Sequence, residues 1–181
     1  MTRLLLFPGS GSDRNHESLV AIERAVHPVR TDRIDFPYRI AGRRPPDRAP
    51  VLMQAVRDAA KGLRRSGLVL GGRSMGGRIC SMVVGDEEQP LPVKGLVLIA
   101  YPLHPPGKPD RLRVEHFARL SVPCLFVSGT RDTFGTPDEL LQWTSTIPGV
   151  VTHHWLDRKG HDLKGCDTQI ADVVRRWLSD L

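Results

Sequence analysis

Short apolar runs alternate along the chain with longer stretches in which apolar residues recur every third or fourth position. The first run, RLLLF at residues 3–7, reads as a strand and breaks at PGSGSD. A helix is expected from Asp13 to Val26 with Ser12 as its cap, then a second strand over Val29–Asp35. Leu52, Val56, Ala59, Ala60 and Leu63 fall at helical spacing within Pro50–Arg65. SGLVLGG is a third strand, Met75–Val84 a helix, and VKGLVLIA at 93–100 a fourth strand. After the loop YPLHPPGKPD the pattern gives a short helical stretch over Arg111–Leu120 and a fifth strand, VPCLFVSG, at 122–129. A helix over Pro137–Thr146, a sixth strand over Val150–Leu156 and a last helix at 167–180 complete it.

Strands that alternate with helices pair in parallel through right-handed crossovers. Nearly unbroken apolar strands are buried on both faces. The expected architecture is therefore a three-layer α/β/α sandwich with about six parallel strands, one domain over residues 1–181. The Pro- and Arg-rich PYRIAGRRPPDRAP is a surface loop within it.

Composition narrows the function classes. With 40% hydrophobic and 25% charged residues, the chain reads as an ordinary globular domain. No apolar stretch approaches the ~18 residues that span a bilayer, and MTRLLLFPGSG lacks the apolar core and cleavage site of a signal peptide. Cys80, Cys124 and Cys166 are too few and too scattered for a disulfide framework or a metal site. His153 and His154 lack a third metal ligand at suitable spacing. The expectation is a cytoplasmic protein with reduced thiols, no metal or other cofactor and no membrane partner. Net charge is +6, but the arginines lie in scattered pairs without interleaved aromatics, so a solvated basic surface is expected rather than nucleic-acid binding.

The chemistry gathers at GGRSMGGR. Gly72-Arg73-Ser74-Met75-Gly76 is a G-x-S-x-G at a strand-to-helix turn. Glycines there let strand and helix approach, and the serine hydroxyl is lifted above the sheet. A hydroxyl needs an imidazole as base and a carboxylate to orient it. Behind such an elbow the acid and then the histidine follow in chain order. Asp132 follows the fifth strand and His161 the sixth, at the same strand ends as Ser74. The competitors fit less well: His153 and His154 lie within a strand, His16 and His27 near the first helix, and His116 in a helical stretch. Asp162 is too close in sequence to serve the same ring, and Asp110 is in the wrong loop. Oxyanion donors are expected at the N–H of Met75 and at the N–H of Ser10, with Gly11 as the near alternative. Tyr101 and His104 either line an acyl pocket or belong to a rigid loop packed on the sheet. Arg73 and Arg78 either favour an anionic substrate or pack at the elbow.

FPGSGSD, GGRSMGGR, GLVLIAYPLHPPGKPD, VPCLFVSGTRDTFG and KGHDLKG together make the chain resemble the α/β-hydrolase superfamily. More narrowly, it is similar to the small dienelactone-hydrolase-like group that includes testis-expressed protein thirty and a subunit of the non-specific-lethal chromatin complex. The resemblance implies strand order 2-1-3-4-5-6, a catalytic set on Ser74, Asp132 and His161, and a minimal fold without the superfamily's first two strands or a cap. Dienelactone hydrolases proper use cysteine where this chain has Ser74, so their substrate does not carry over. The expected function is a serine hydrolase that cleaves a small ester or thioester. The chromatin relatives suggest the alternative of a catalytically silent binding or scaffold protein.

Overall fold

In a computed structural model that describes residues 2–181, six strands form one sheet. They are β1 (Arg3–Phe7), β2 (Arg30–Arg33), β3 (Leu68–Arg73), β4 (Gly95–Ile99), β5 (Cys124–Gly129) and β6 (Val151–Leu156). Their order is β2-β1-β3-β4-β5-β6 and every pairing is parallel. The helices are α1 (Glu17–Ala25), α2 (Pro37–Ile40), α3 (Ala49–Ala59), α4 (Met75–Val84), α5 (Pro137–Thr144) and α6 (Asp167–Ser179). Architecture and strand order match the sequence expectation.

The period-two alternation of side chains explains the unbroken apolar strands. Leu5, Phe7, Leu68, Leu70, Leu96, Leu98 and Phe126 face one layer, where they meet Leu52 and Val56 of α3 and Ile79 and Val83 of α4. Leu4, Leu6, Val69, Val97, Ile99 and Val127 face the other, against Leu19 and Ile22 of α1 and Ile170 and Val174 of α6. The β2 edge is charged instead: Arg3 Nε reaches Asp32 Oδ2 at 2.6 Å and Arg33 Nε reaches Glu23 Oε2 at 2.7 Å. Charge on an edge strand discourages further pairing. Among the described residues no helix is long and apolar enough to cross a membrane.

Four elements differ from expectation: α3 stops at Ala59 rather than Arg65, the chain turning through Gly62 at φ 75°, and three others differ for local reasons. α1 begins at Glu17, because Asp13 Oδ1 takes the Asn15 N–H at 2.8 Å and holds residues 13–16 in a turn. His16, not Ser12, caps it, its Nδ1 accepting the Ser18 N–H at 3.2 Å. The short α2 opens on Pro37, whose fixed φ suits a first helical position, and it buries Tyr38. The stretch Arg111–Leu120 is loop except for a 3-10 turn at Phe117–Arg119. The Tyr101 hydroxyl donates to Arg113 O at 2.7 Å, the carbonyl an α-helix would offer to Phe117. The Phe117 N–H turns to Val114 O at 2.8 Å instead.

That turn buries His116 to 6% exposure. Ser81 Oγ donates to Arg78 O at 2.8 Å, so it accepts from His116 Nε2–H, also at 2.8 Å. Burial, then the Arg78 and Arg119 charges, push the His116 pKa down to about 4. Between that value and the ordinary 6.5 the unfolded chain binds the extra proton, so the stabilisation is complete above pH 6.5 and is lost as pH falls towards 4. Its full size is about 3 kcal/mol. Denaturant melts of wild type and His116→Gln over this range should show the difference; parallel pH profiles would refute it.

Candidate active site

The elbow is set by backbone packing. Ser74, between β3 and α4, has φ 49° and ψ −117°, strained for a residue with a Cβ. Its N–H donates to Ile99 O at 2.7 Å and locks the turn onto β4. A Cβ at Gly72 would run into the Phe7 carbonyl oxygen and stand 2.8 Å from Gly76 C; one at Gly76 would strike the same oxygen and stand 2.6 Å from Phe7 C. The two glycines thus let α4 rest directly on the end of β1. In Gly76→Ala, alanine gains about 1 kcal/mol of helix propensity. The collision with a strand carbonyl outweighs it, and we expect a net loss of about 2 kcal/mol. The midpoint of denaturant unfolding measures this; an unchanged or higher midpoint contradicts the packing argument.

Three side chains from separate strand ends meet at this elbow. Ser74 Oγ lies 2.8 Å from His161 Nε2, and His161 Nδ1 lies 2.8 Å from Asp132 Oδ2. The other carboxylate oxygen, Oδ1, accepts the Phe134 N–H at 2.8 Å. Asp132 is 2% exposed, so its orientation is set by protein contacts. Because a carboxylate only accepts, Nδ1 carries the imidazole proton and Nε2 presents its lone pair to the serine O–H. The Phe134 ring stacks on the imidazole, centroids 3.9 Å apart. Arg73, 7% exposed, holds the histidine loop from beneath: its Nη2 donates to His161 O at 3.2 Å and to Asp162 O. Burial pulls its guanidinium pKa below the usual value.

The loop after β1 faces Ser74 from the other side, where β1 and β3 send their connections to opposite faces of the sheet and open a crevice. A Cβ at Gly9 would stand 3.5 Å from Ser74 Cβ. The Tyr38 hydroxyl donates to Ser10 O at 2.8 Å and anchors the loop to the core. The Ser10 N–H has no hydrogen-bond acceptor among the described residues. Met75 N–H lies in the first turn of α4, where N–H groups lack intrahelical acceptors.

A cleft of about 620 Å³ opens over these groups and includes Ser10, Gly11, Arg73, Ser74, Met75 and His161 in its lining. Tyr101 and His104, the other two pocket candidates, lie outside it. Tyr101 is 1% exposed, with its ring 5.4 Å from that of Phe117 and 5.8 Å from that of Phe126. His104 has its ring nitrogens taken by Pro105 O at 2.9 Å and Glu139 Oε1 at 3.2 Å. The rigid-loop reading describes both. His16, Pro102, Arg113 and Phe134 line the cleft instead. Among them, Phe134 could have been sought two residues after Asp132; nothing local in the sequence marks Arg113. No cysteine shares the cleft: all three are buried, and burial pushes the Cys124 thiol up to about 12.

A family model for an alpha/beta hydrolase domain matches residues 1–173. The chain belongs to the alpha/beta hydrolase family. Solved structures share its fold. Est1E from Butyrivibrio proteoclasticus superimposes with a TM-score of 0.77 at 13% identity, covering 99% of this chain and 87% of that one. The esterase domain of a Rhodothermus marinus protein gives 0.71 at 16% identity, covering 97% and 85%. The RedJ thioesterase of the Streptomyces coelicolor prodiginine pathway gives 0.69 at 19% identity, covering 99% and 85%. At these identities the likeness is one of fold.

Proposed function

We propose that this hydrolase cleaves small esters or thioesters through an acyl-enzyme on Ser74. The observation that carries the reading is the continuous hydrogen-bonded path from Ser74 Oγ through His161 to Asp132, two links of 2.8 Å each. In the first half-reaction Ser74 Oγ bonds to the acyl carbon while His161 Nε2 takes its proton. The C–O or C–S bond to the leaving group then breaks, and Nε2 returns that proton to the departing alcohol or thiol. Water repeats the sequence: its oxygen bonds to the acyl carbon, the bond to Ser74 breaks, and a carboxylic acid leaves. Asp132 keeps the imidazole in its productive tautomer. The N–H groups of Met75 and Ser10 hold the oxyanion that forms on the carbonyl. The esterase and thioesterase names among proteins of the same fold agree with this chemistry. A cytoplasmic setting suits three buried, unpaired thiols.

A panel of para-nitrophenyl esters of increasing acyl length tests it. Wild type should release nitrophenol fastest from short acyl groups, and Ser74→Ala should not act above its buffer blank. Equal rates for the two proteins would overturn the reading.

A further inference from the structure

Three arginines, Arg73, Arg78 and Arg113, line the cleft with Ser74. Among the described residues, none of the three takes part in an ion pair. Arg73 is committed to the carbonyls beneath His161. The other two have little to hold. Among the described residues Arg78 Nε is buried without a hydrogen-bond partner, and the one side-chain hydrogen bond of Arg113 is a long 3.5 Å bond to Pro102 O. A buried guanidinium donor left unmade is costly in free energy and marks a place for an acceptor the protein does not supply.

Position ties both to the reacting centre. The Arg78 N–H donates to Ser74 O at 3.0 Å, so Arg78 stands one helical turn beyond the serine on the same face of α4. Long side chains on a helix lean towards its N-terminus, here towards Ser74. Arg113 comes from the loop after β4, held at its own carbonyl by the buried Tyr101 hydroxyl. Burial first, then the Arg78 charge, draw the Arg113 pKa down. The acidic residues on the cleft wall do not fill that place. Asp47 is engaged by Arg43 through bonds of 2.8 and 3.1 Å, and Asp162 Oδ1 faces the Lys164 N–H at 3.4 Å.

We propose that Arg78 and Arg113 form a carboxylate-binding subsite, so that the preferred substrate is an ester bearing a carboxylate within about one helical turn, ~5 Å, of the scissile carbonyl. This deepens the Ser74 reading and rests on it. A guanidinium fork matches a carboxylate bidentately, and two of them in a partly closed cleft orient the substrate as well as attract it. The charged phosphates of a large carrier thioester lie too far from the carbonyl to reach this subsite. Short half-esters of dicarboxylic acids and esters of small hydroxy acids therefore fit best.

Two matched pairs of esters test it, each rate divided by that ester's spontaneous hydrolysis. On the acyl side, para-nitrophenyl hydrogen glutarate is compared with its methyl-capped form; on the leaving side, meta-acetoxybenzoate with its methyl ester. At least one acidic ester should be preferred in kcat/KM by about ten- to a hundredfold. The ratio should fall towards one in both Arg78→Met and Arg113→Gln and shrink with added salt. A ratio near or below one in both pairs, or one that neither variant changes, overturns the subsite while Ser74-dependent turnover leaves the hydrolase reading standing. If Ser74→Ala matches wild type, the hydrolase reading fails instead. The subsite is then read by calorimetric titration of glutarate: saturable binding weakened at least about tenfold in Arg78→Met supports it, and no saturable binding refutes it.

Discussion

Ser74→Ala should lower kcat/KM for a short nitrophenyl ester by about 10⁴- to 10⁶-fold, which is the scale on which a nucleophile and its base act as a unit. The rest of the molecule should scarcely notice. Among the described residues the one side-chain hydrogen bond of Ser74 runs to His161, which is itself held by Asp132 and Arg73. Alanine keeps the Cβ, so backbone strain at φ 49° is unchanged and the Tm should move by no more than about 3 °C. Glycine behaves differently. Ser74→Gly removes the Cβ that makes this φ unfavourable, and it should be as inactive as the alanine variant yet more stable by about 1 kcal/mol. An inactive variant that gains stability separates strain held at the elbow from damage to the fold. A large Tm loss in Ser74→Ala would mean that the serine is a structural brace.

Asp132→Asn should cost about 10⁴-fold in kcat with little change in KM. The Phe134 N–H can still bond to the amide oxygen of the substituted side chain, which should stay in place with its NH₂ turned to His161. An NH₂ donates. It forces Nδ1 to accept, moves the ring proton to Nε2, and leaves no lone pair facing Ser74. Asp162 cannot take over: its carbonyl is held by Arg73 and its carboxylate by the Lys164 N–H. Single-turnover acylation should slow as much as steady-state turnover. A loss confined to KM would assign Asp132 to substrate binding.

The sheet was legible because both its faces are covered, which writes each strand as a continuous apolar run such as Leu96–Ile99. The residues of the candidate site stood out for the same reason: polar groups placed directly after such runs have few structural duties. Legibility failed where long-range contacts overrule local pattern. The apolar spacing of Arg111–Leu120 reads as helix until Tyr101, from the far end of β4, claims the Arg113 carbonyl. Tyr101 and His104 sit at an active strand end, but their side chains turn into the core and towards Glu139. His16 reads as an outlying histidine near the first helix. It reaches the cleft because α1 starts late and brings its cap to the end of the sheet. Arg113 carries no local signal; its place depends on a loop whose path only the folded chain defines.

The central claim is that Ser74 alone among the hydroxyls is activated by an imidazole aimed at an acyl carbon. Native protein treated with a fluorophosphonate, digested and read by mass spectrometry tests this most directly. One stoichiometric adduct is expected on the peptide that contains Ser74, absent after heat denaturation and strongly slowed in Asp132→Asn. Native protein that stays unmodified, or carries its adduct on another residue, would contradict it.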